Sequence, residues 1–220
     1  MFLTVSDNSL NAKGAPWINR VVSGLVKEPP CEVCGASTRR PVGDLAVTLE
    51  AKGTMWPDAL GCGAYPLLIL SNRALDALKE ASVETGTCNS VILTGTLPAA
   101  LTSIPAPEYY WINGENLRGA SLDFEASGFV GVAFCAGCGR RTEDVGKTYD
   151  RRHSRRFPYK FREGSWNGLS LFTTDLSPAF FFCTEVVLEC AKKNRLTNFR
   201  FLPADEGSRP DSPGLDYLVD

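Results

Sequence analysis

Histidine is nearly missing from this chain of 220 residues, which carries only His153. A catalytic zinc site keeps an open position and draws on histidine or carboxylate ligands. The shortage of imidazole therefore sets aside HExxH and every other two-histidine arrangement. Glycine-rich phosphate loops are missing too: Gly61-Cys62-Gly63 is followed neither by spaced glycines nor by a Lys-Ser/Thr pair. No apolar run approaches the roughly 18 to 20 residues a membrane helix needs, and Phe2 to Val5 is too short for the core of a signal peptide. Net charge is only −2 and the pI is near 5.6, so the whole molecule has no electrostatic bias toward nucleic acid or an anionic membrane. These shortages predict a soluble, cytoplasmic protein with no nucleotide chemistry, no small-molecule substrate and no membrane partner.

Cysteine, by contrast, is plentiful, with eight residues. In a reducing cytosol such a number points to metal ligation or buried thiols, whereas an exported chain would make a disulfide framework the rival. Four of the eight fall into two matching pentapeptides, Cys31-Glu-Val-Cys-Gly35 and Cys135-Ala-Gly-Cys-Gly139. Two cysteines separated by two residues turn both sulfurs inward on a tight loop, and the glycine that follows supplies a positive φ where the loop closes. Four thiolates from two such loops complete an all-cysteine shell, which most often holds Zn2+. Cys31, Cys34, Cys135 and Cys138 are thus the predicted ligands of one structural zinc per chain. Redox pairs of the thioredoxin kind are the other use of CxxC, but two glycine-closed knuckles suit one shared ion better.

With 44% hydrophobic residues the chain can bury a sizeable core. Phe2 to Val5 reads as a strand leading into loops, and Asp44 to Leu49 as a short strand. Pro66 to Leu70 is a compact apolar run. Ser71 or Asn72 then supplies an N-cap, and Ala74, Leu75 and Leu78 recur at helical spacing through about Ala81. Gly86 ends that helix, and Val91 to Leu93 reads as a buried strand before a loop region from Pro98 to Pro107. The plan recurs later: Ala179 to Phe182 as a strand, Thr184 as cap, Val186, Val187 and Cys190 as a helix face, and Phe199 to Phe201 as the closing strand. Superposing Leu70 to Ala81 on Phe182 to Lys193 takes an offset of 112, against 104 for the knuckles. The expected fold is α+β: one domain over residues 1–204, built of two pseudo-repeated strand-helix-strand halves at about 1–107 and 108–204. The four-cysteine site would join the halves, and residues 205–220 would form an acidic flexible tail.

Four cysteines are not repeated. On this superposition Cys183 falls on Ser71 and Cys190 on Leu78, while aligning the closing strands puts Cys88 on Leu196; all three read as small core hydrophobes. Cys62, between two glycines, reads as a turn residue. His153 stands in Arg151-Arg152-His153-Ser154-Arg155-Arg156 without a nucleophile or carboxylate motif, and reads as a solvated residue rather than a general base. Residues 140–162 hold nine Lys/Arg against three Asp/Glu, interleaved with Tyr149, Phe157, Tyr159 and Phe161. That composition suits phosphate pairing and base stacking; it also suits an exposed loop balancing the tail from Pro203 to Asp220, which has five acids and one arginine, and the near-neutral charge of the whole chain favours the loop.

The two CxxCG knuckles, together with the closing block from Phe180 to Pro203, resemble the double-CXXCG motif proteins. These are a paralogous family of myxobacteria that includes immunity proteins for lipoprotein toxins exchanged between cells. The resemblance covers about Pro30 to Pro203, and the chain departs from it in the arginine-rich segment and the acidic tail. It implies a cytoplasmic antidote that binds and neutralises a cognate toxin without catalysis of its own, with the four knuckle cysteines as its metal ligands. The alternative is a zinc-ribbon nucleic-acid-binding protein that uses residues 140–162.

Overall fold

Continuous apolar runs and β-branched or aromatic stretches favour strands over helices along most of this chain. The computed structural model, which describes residues 1–7, 14–50, 52–62, 66–129, 132–140 and 158–205, is a mixed α+β fold dominated by strands. In chain order these are β1 (Phe2–Asp7), β2 (Trp17–Lys27), β3 (Arg39–Leu49), β4 (Gly61–Cys62), β5 (Ile69–Ser71), β6 (Cys88–Thr94), β7 (Tyr109–Ile112), β8 (Arg118–Ala120), β9 (Leu171–Thr174), β10 (Ser177–Thr184) and β11 (Phe199–Pro203). Two α-helices, α1 (Asn72–Glu80) and α2 (Glu185–Lys193), and two short 3-10 turns, Ala99–Leu101 and Gly114–Leu117, complete the described elements. One sheet has the order β4-β2-β3-β6-β7-β5, the other β11-β1-β10-β9-β8.

The helices and inner sheet residues share the main core. Leu3, Leu70, Ala74, Leu78, Leu117, Cys183, Val187, Leu188, Phe199 and Phe201 all pack there. Phe199 and Phe201, two apart on one strand, point to the same side and stack with ring centroids 5.8 Å apart. A second cluster, around Ile18, Leu45, Val47, Tyr109 and Trp111, backs the six-stranded sheet. The Tyr109 hydroxyl and the Trp111 indole N–H are spent on the carbonyls of Pro57 and Gly43, so these large side chains are buried with their polar tips satisfied.

Each sheet contains a strand, a helix and a second strand running parallel to the first, with an antiparallel strand between them. In one sheet the set is β5-α1-β6 around β7; in the other it is β10-α2-β11 around β1. The two share one register. Ser71 lies opposite Tyr109 as Thr184 lies opposite Phe2, and Cys88 lies opposite Ile112 as Phe201 lies opposite Val5. Both helices have nine residues, and both end on a left-handed residue, Ser82 (φ 57°) and Arg195 (φ 49°). The next N–H closes each end, Val83 to the Leu78 carbonyl and Leu196 to the Ala191 carbonyl, both at 2.9 Å.

Several details differ from the sequence reading. Helix α2 begins and ends 113 residues after α1, where the sequence reading superposed them at 112. In the paired registers Thr184 then stands where Ser71 does, Cys183 where Leu70 does and Phe201 where Cys88 does, and Cys190 lies 113 positions after Ala77. Ser71 caps α1, accepting from the Ala74 N–H at 3.1 Å; Thr184 holds the same position in α2 without a capping bond. Val186 faces water at 46% exposure, and Val187, Leu188, Cys190 and Ala191 form the buried face instead. Ile92 is 51% exposed, because alternate residues of a strand face opposite sides and only one face of β6 meets the core. β1 also belongs to the sheet of the C-terminal half, so neither half of the chain forms a sheet alone.

A buried carboxylate ties the two crossovers together. Asp58, 5% exposed, accepts from Ser71 Oγ at 2.8 Å, from two nitrogens of the Arg73 guanidinium, and from the Thr197 N–H at 2.8 Å. Arg73 also donates to the Asn194 carbonyl at 3.0 Å. The start of α1 is thereby fastened to the turn that follows α2.

Candidate metal centre

The first knuckle forms the tip of the β2–β3 hairpin. Cys31 N–H donates to the Ala36 carbonyl at 2.9 Å and Gly35 N–H to the Cys31 carbonyl at 2.7 Å. The second knuckle repeats both bonds, Cys135 to Arg140 at 2.7 Å and Gly139 to Cys135 at 2.8 Å. Gly35 and Gly139 sit at φ 68° and 67°, and a Cβ on either would meet nothing within 4 Å. Glycine is needed there for the backbone conformation, since L side chains resist the left-handed region. Gly137 is needed for a different reason: a Cβ would stand 2.7 Å from Val33 Cγ2 and 3.3 Å from Cys31 Sγ. It lets the second knuckle close onto the first.

The closure brings four sulfurs together. Cys31 Sγ lies 3.7 Å from Cys135 Sγ, Cys34 Sγ lies 3.7 Å from Cys138 Sγ, and all four atoms are within 4.8 Å of one another. A tetrahedral ion with metal–sulfur bonds of about 2.3 Å would hold its sulfurs about 3.8 Å apart. The four cysteines therefore fit a metal ion. They are free thiols, since a disulfide would need sulfurs about 2.05 Å apart.

Backbone amides prepare the first cysteine of each knuckle for ligation. Hydrogen bonds from the Cys34 and Val33 amides pull the Cys31 thiol down to about 6, and those of Cys138 and Gly137 likewise lower Cys135. For Cys34 the Ala36 amide pulls downward most strongly, but desolvation and three neighbouring thiols together outweigh it and push the group up to about 11. Metal ligation requires all four as thiolates, and the positive charge of a bound ion would supply what Cys34 lacks.

A polar clasp braces the site. Glu28, at the end of β2, pairs with Arg140 just past the second knuckle, with Arg40 Nε at 3.0 Å, and with Thr38 Oγ1 at 2.8 Å. Arg140 also reaches the Ala36 carbonyl at 3.4 Å. In the sequence Arg140 counts only as the first residue of the basic segment 140–162, and Glu28 carries no signal. The available signal was positional: Arg140 follows its CxxCG as Ala36 follows the other.

Of the segment 140–162, residues 141–157, including His153, Tyr149 and Phe157, lie outside the described residues, as does the tail from residue 206. Two aromatics considered for base stacking are engaged in the fold. Tyr159 packs 5.1 Å from Phe180 and 5.2 Å from Phe182, while Phe161 packs 5.1 Å from Phe182 and 4.9 Å from Phe2. Cys183 and Cys190 are buried in the main core, and burial pushes both thiols upward. Cys88 is half-buried against Thr85 and raised chiefly by desolvation. Cys62 packs at the edge of the second cluster and is not among the four clustered cysteines. No helix among the described residues is long and apolar enough to cross a membrane. No known protein family and no curated protein matches this chain.

Proposed function

We propose that this protein is a partner-binding scaffold pinned by one structural Zn2+, and that its partner is a protein toxin which it neutralises in the cytoplasm, with no catalysis of its own. The observation that carries this is the closed shell of four cysteines. An ion bound to Cys31, Cys34, Cys135 and Cys138 has no position left for a substrate or an activated water, which is the signature of a structural site. A soft, tetrahedral all-sulfur set suits zinc. When bound, the ion supplies cohesion between segments about a hundred residues apart, and the chain's own groups orient it: the knuckle amides, the Glu28–Arg140 pair and the Val33–Gly137 contact.

The scaffold is read as a duplicated unit with exchanged middle strands. In support, the crossovers share one register at an offset of 113, and equivalent residues meet each other. Cys190 Sγ contacts the Ala77 carbonyl at 3.2 Å, as Cys31 meets Cys135 and Cys34 meets Cys138. One approximate twofold axis, passing among the four sulfurs and between the helices, would account for all three contacts.

The toxin-binding reading follows from the resemblance of the double knuckle to immunity proteins. Its test is co-production with a toxin encoded beside its gene, together with size-exclusion chromatography of the purified pair. Protection of the cells and a stable complex are the expected results. A toxin that kills regardless and does not co-elute overturns the reading.

A further inference from the structure

The two sulfur–sulfur contacts at the metal centre are equal in length and unequal in exposure. Cys31–Cys135 is the inner contact, joining the half-buried Cys31 to Cys135, which is only 6% exposed; Cys34–Cys138 is the outer one, joining the exposed Cys34 to the half-buried Cys138. Both join residues 104 positions apart, one from each knuckle. Val33 against Gly137 and Glu28 against Arg140 hold the knuckles face to face, so the outer pair stays aligned across the site. Elsewhere thiols are less favourably placed: Cys183 and Cys190 are buried, Cys88 is turned onto Thr85, and Cys62 is half-buried with no second cysteine in its cluster.

We infer that Cys34 and Cys138 are a redox-responsive pair that a peroxide closes into a disulfide between the two knuckles, releasing the ion. This rests on the zinc reading of the site. With an ion bound all four cysteines would be thiolates, so exposure decides which sulfur an oxidant reaches first. The Cys34 thiolate attacks one peroxide oxygen, the O–O bond breaks, and hydroxide leaves, giving a sulfenic acid on Cys34. The Cys138 thiolate then attacks that sulfur, forming the S–S bond and expelling a second hydroxide. Two thiolates have lost two electrons in total, and the peroxide, taking up two protons, ends as two waters. Cys31 and Cys135 alone no longer complete a shell of four, so the ion departs. A covalent bond then spans the two segments the ion had held.

The test uses the full-length reduced protein, with its zinc content measured first. Stoichiometric hydrogen peroxide is added, a chromogenic chelator follows zinc release, and peptide mapping after alkylation locates the disulfides. The expected result is one zinc released per Cys34–Cys138 disulfide, reversed by dithiothreitol with added zinc. In Cys138→Ser, dimedone should trap a sulfenic acid on Cys34 and no disulfide should form. A first product within a knuckle, Cys31–Cys34 or Cys135–Cys138, overturns the inference, as do earlier oxidation of Cys62 and zinc retained by the oxidised protein. A first disulfide between Cys31 and Cys135 in the zinc-loaded protein overturns the pair alone, whereas absence of zinc both at the outset and after reconstitution refutes the metal reading and the inference with it.

Discussion

Free zinc should set the melting temperature of the reduced protein, and the slope is calculable. The four sulfurs lie on two segments brought together by the native fold, the β2–β3 hairpin tip and the loop 132–140, and they form the single ligand cluster found among the described residues. An ion that binds the native state at one site stabilises it by about 2.7 kcal/mol at a free concentration 100 times Kd and about 4.1 kcal/mol at 1,000 times Kd, or about 1.4 kcal/mol per decade. For a chain of this length each kcal/mol is worth about 2–4 °C, so each decade of free zinc above Kd should raise Tm by about 3–6 °C. Differential scanning calorimetry in zinc buffers spanning three decades, with a phosphine reductant present, measures this directly. A melting temperature unchanged between strong chelator and buffered zinc would refute the shared site. A slope twice as steep would mean two ions are taken up on folding, contrary to a single four-sulfur shell.

Other perturbations probe the supports of the site and the fold. Asp58→Ala leaves the Arg73 guanidinium, the Ser71 hydroxyl and the Thr197 amide without their common acceptor; because Arg73 is half-exposed, the loss should fall at the lower end for a broken buried pair, about 3 kcal/mol by urea denaturation. A loss below about 1 kcal/mol would show that the clasp does not join the crossovers. Gly114→Ala places a methyl group 1.9 Å from the Pro178 carbonyl oxygen and should cost at least the about 1–3 kcal/mol typical of overpacking, read as a lowered Tm; an unchanged Tm would contradict the close approach of this turn to β10. In the metal-free protein, alkylation of Cys31 should reach half its limiting rate near pH 6, and that of Cys34 near pH 11, as followed by mass spectrometry. Because Cys31 is depressed from 9.0, its thiolate favours the folded state fully above pH 9 and loses that effect as pH falls through 6; Cys34, raised from the same value, favours the fold below pH 9 and loses its effect as pH rises through 11. Equal reactivity profiles for the two cysteines would remove the distinction drawn between first and second positions of the knuckle.

By itself the sequence determined what local chemistry determines. A pair of cysteines two residues apart, closed by glycine, makes a ligand loop from its own backbone, so the identity of the four clustered residues was legible before any fold was known. So were the strand into Ser71, the cap and α1, because an apolar run followed by a capping hydroxyl has few other uses. Thr184 misled slightly: its position as cap was legible, but whether its hydroxyl finds an N–H depends on a rotamer set by neighbours. Val186 and Val187 are adjacent valines that composition treats alike, and only packing of α2 on α1 decided that Val187 turns inward.

The tertiary structure decided everything that links distant segments. That β1 enters the sheet of the C-terminal half depends on pairing with β10 and β11, nearly two hundred residues away, and no periodicity within Phe2–Asp7 encodes a partner. β7, β8 and β9 are three or four residues each, too short for alternation to declare itself, and are strands because neighbouring edges accept their hydrogen bonds. Glu28 and Arg140 each look like ordinary surface charges until the knuckles meet, and Gly137 looks like any loop glycine until Val33 lies against it. Metal ligands announce themselves because thiolate chemistry is a property of the residue; the groups that hold them in place do not, because their role is a property of distance.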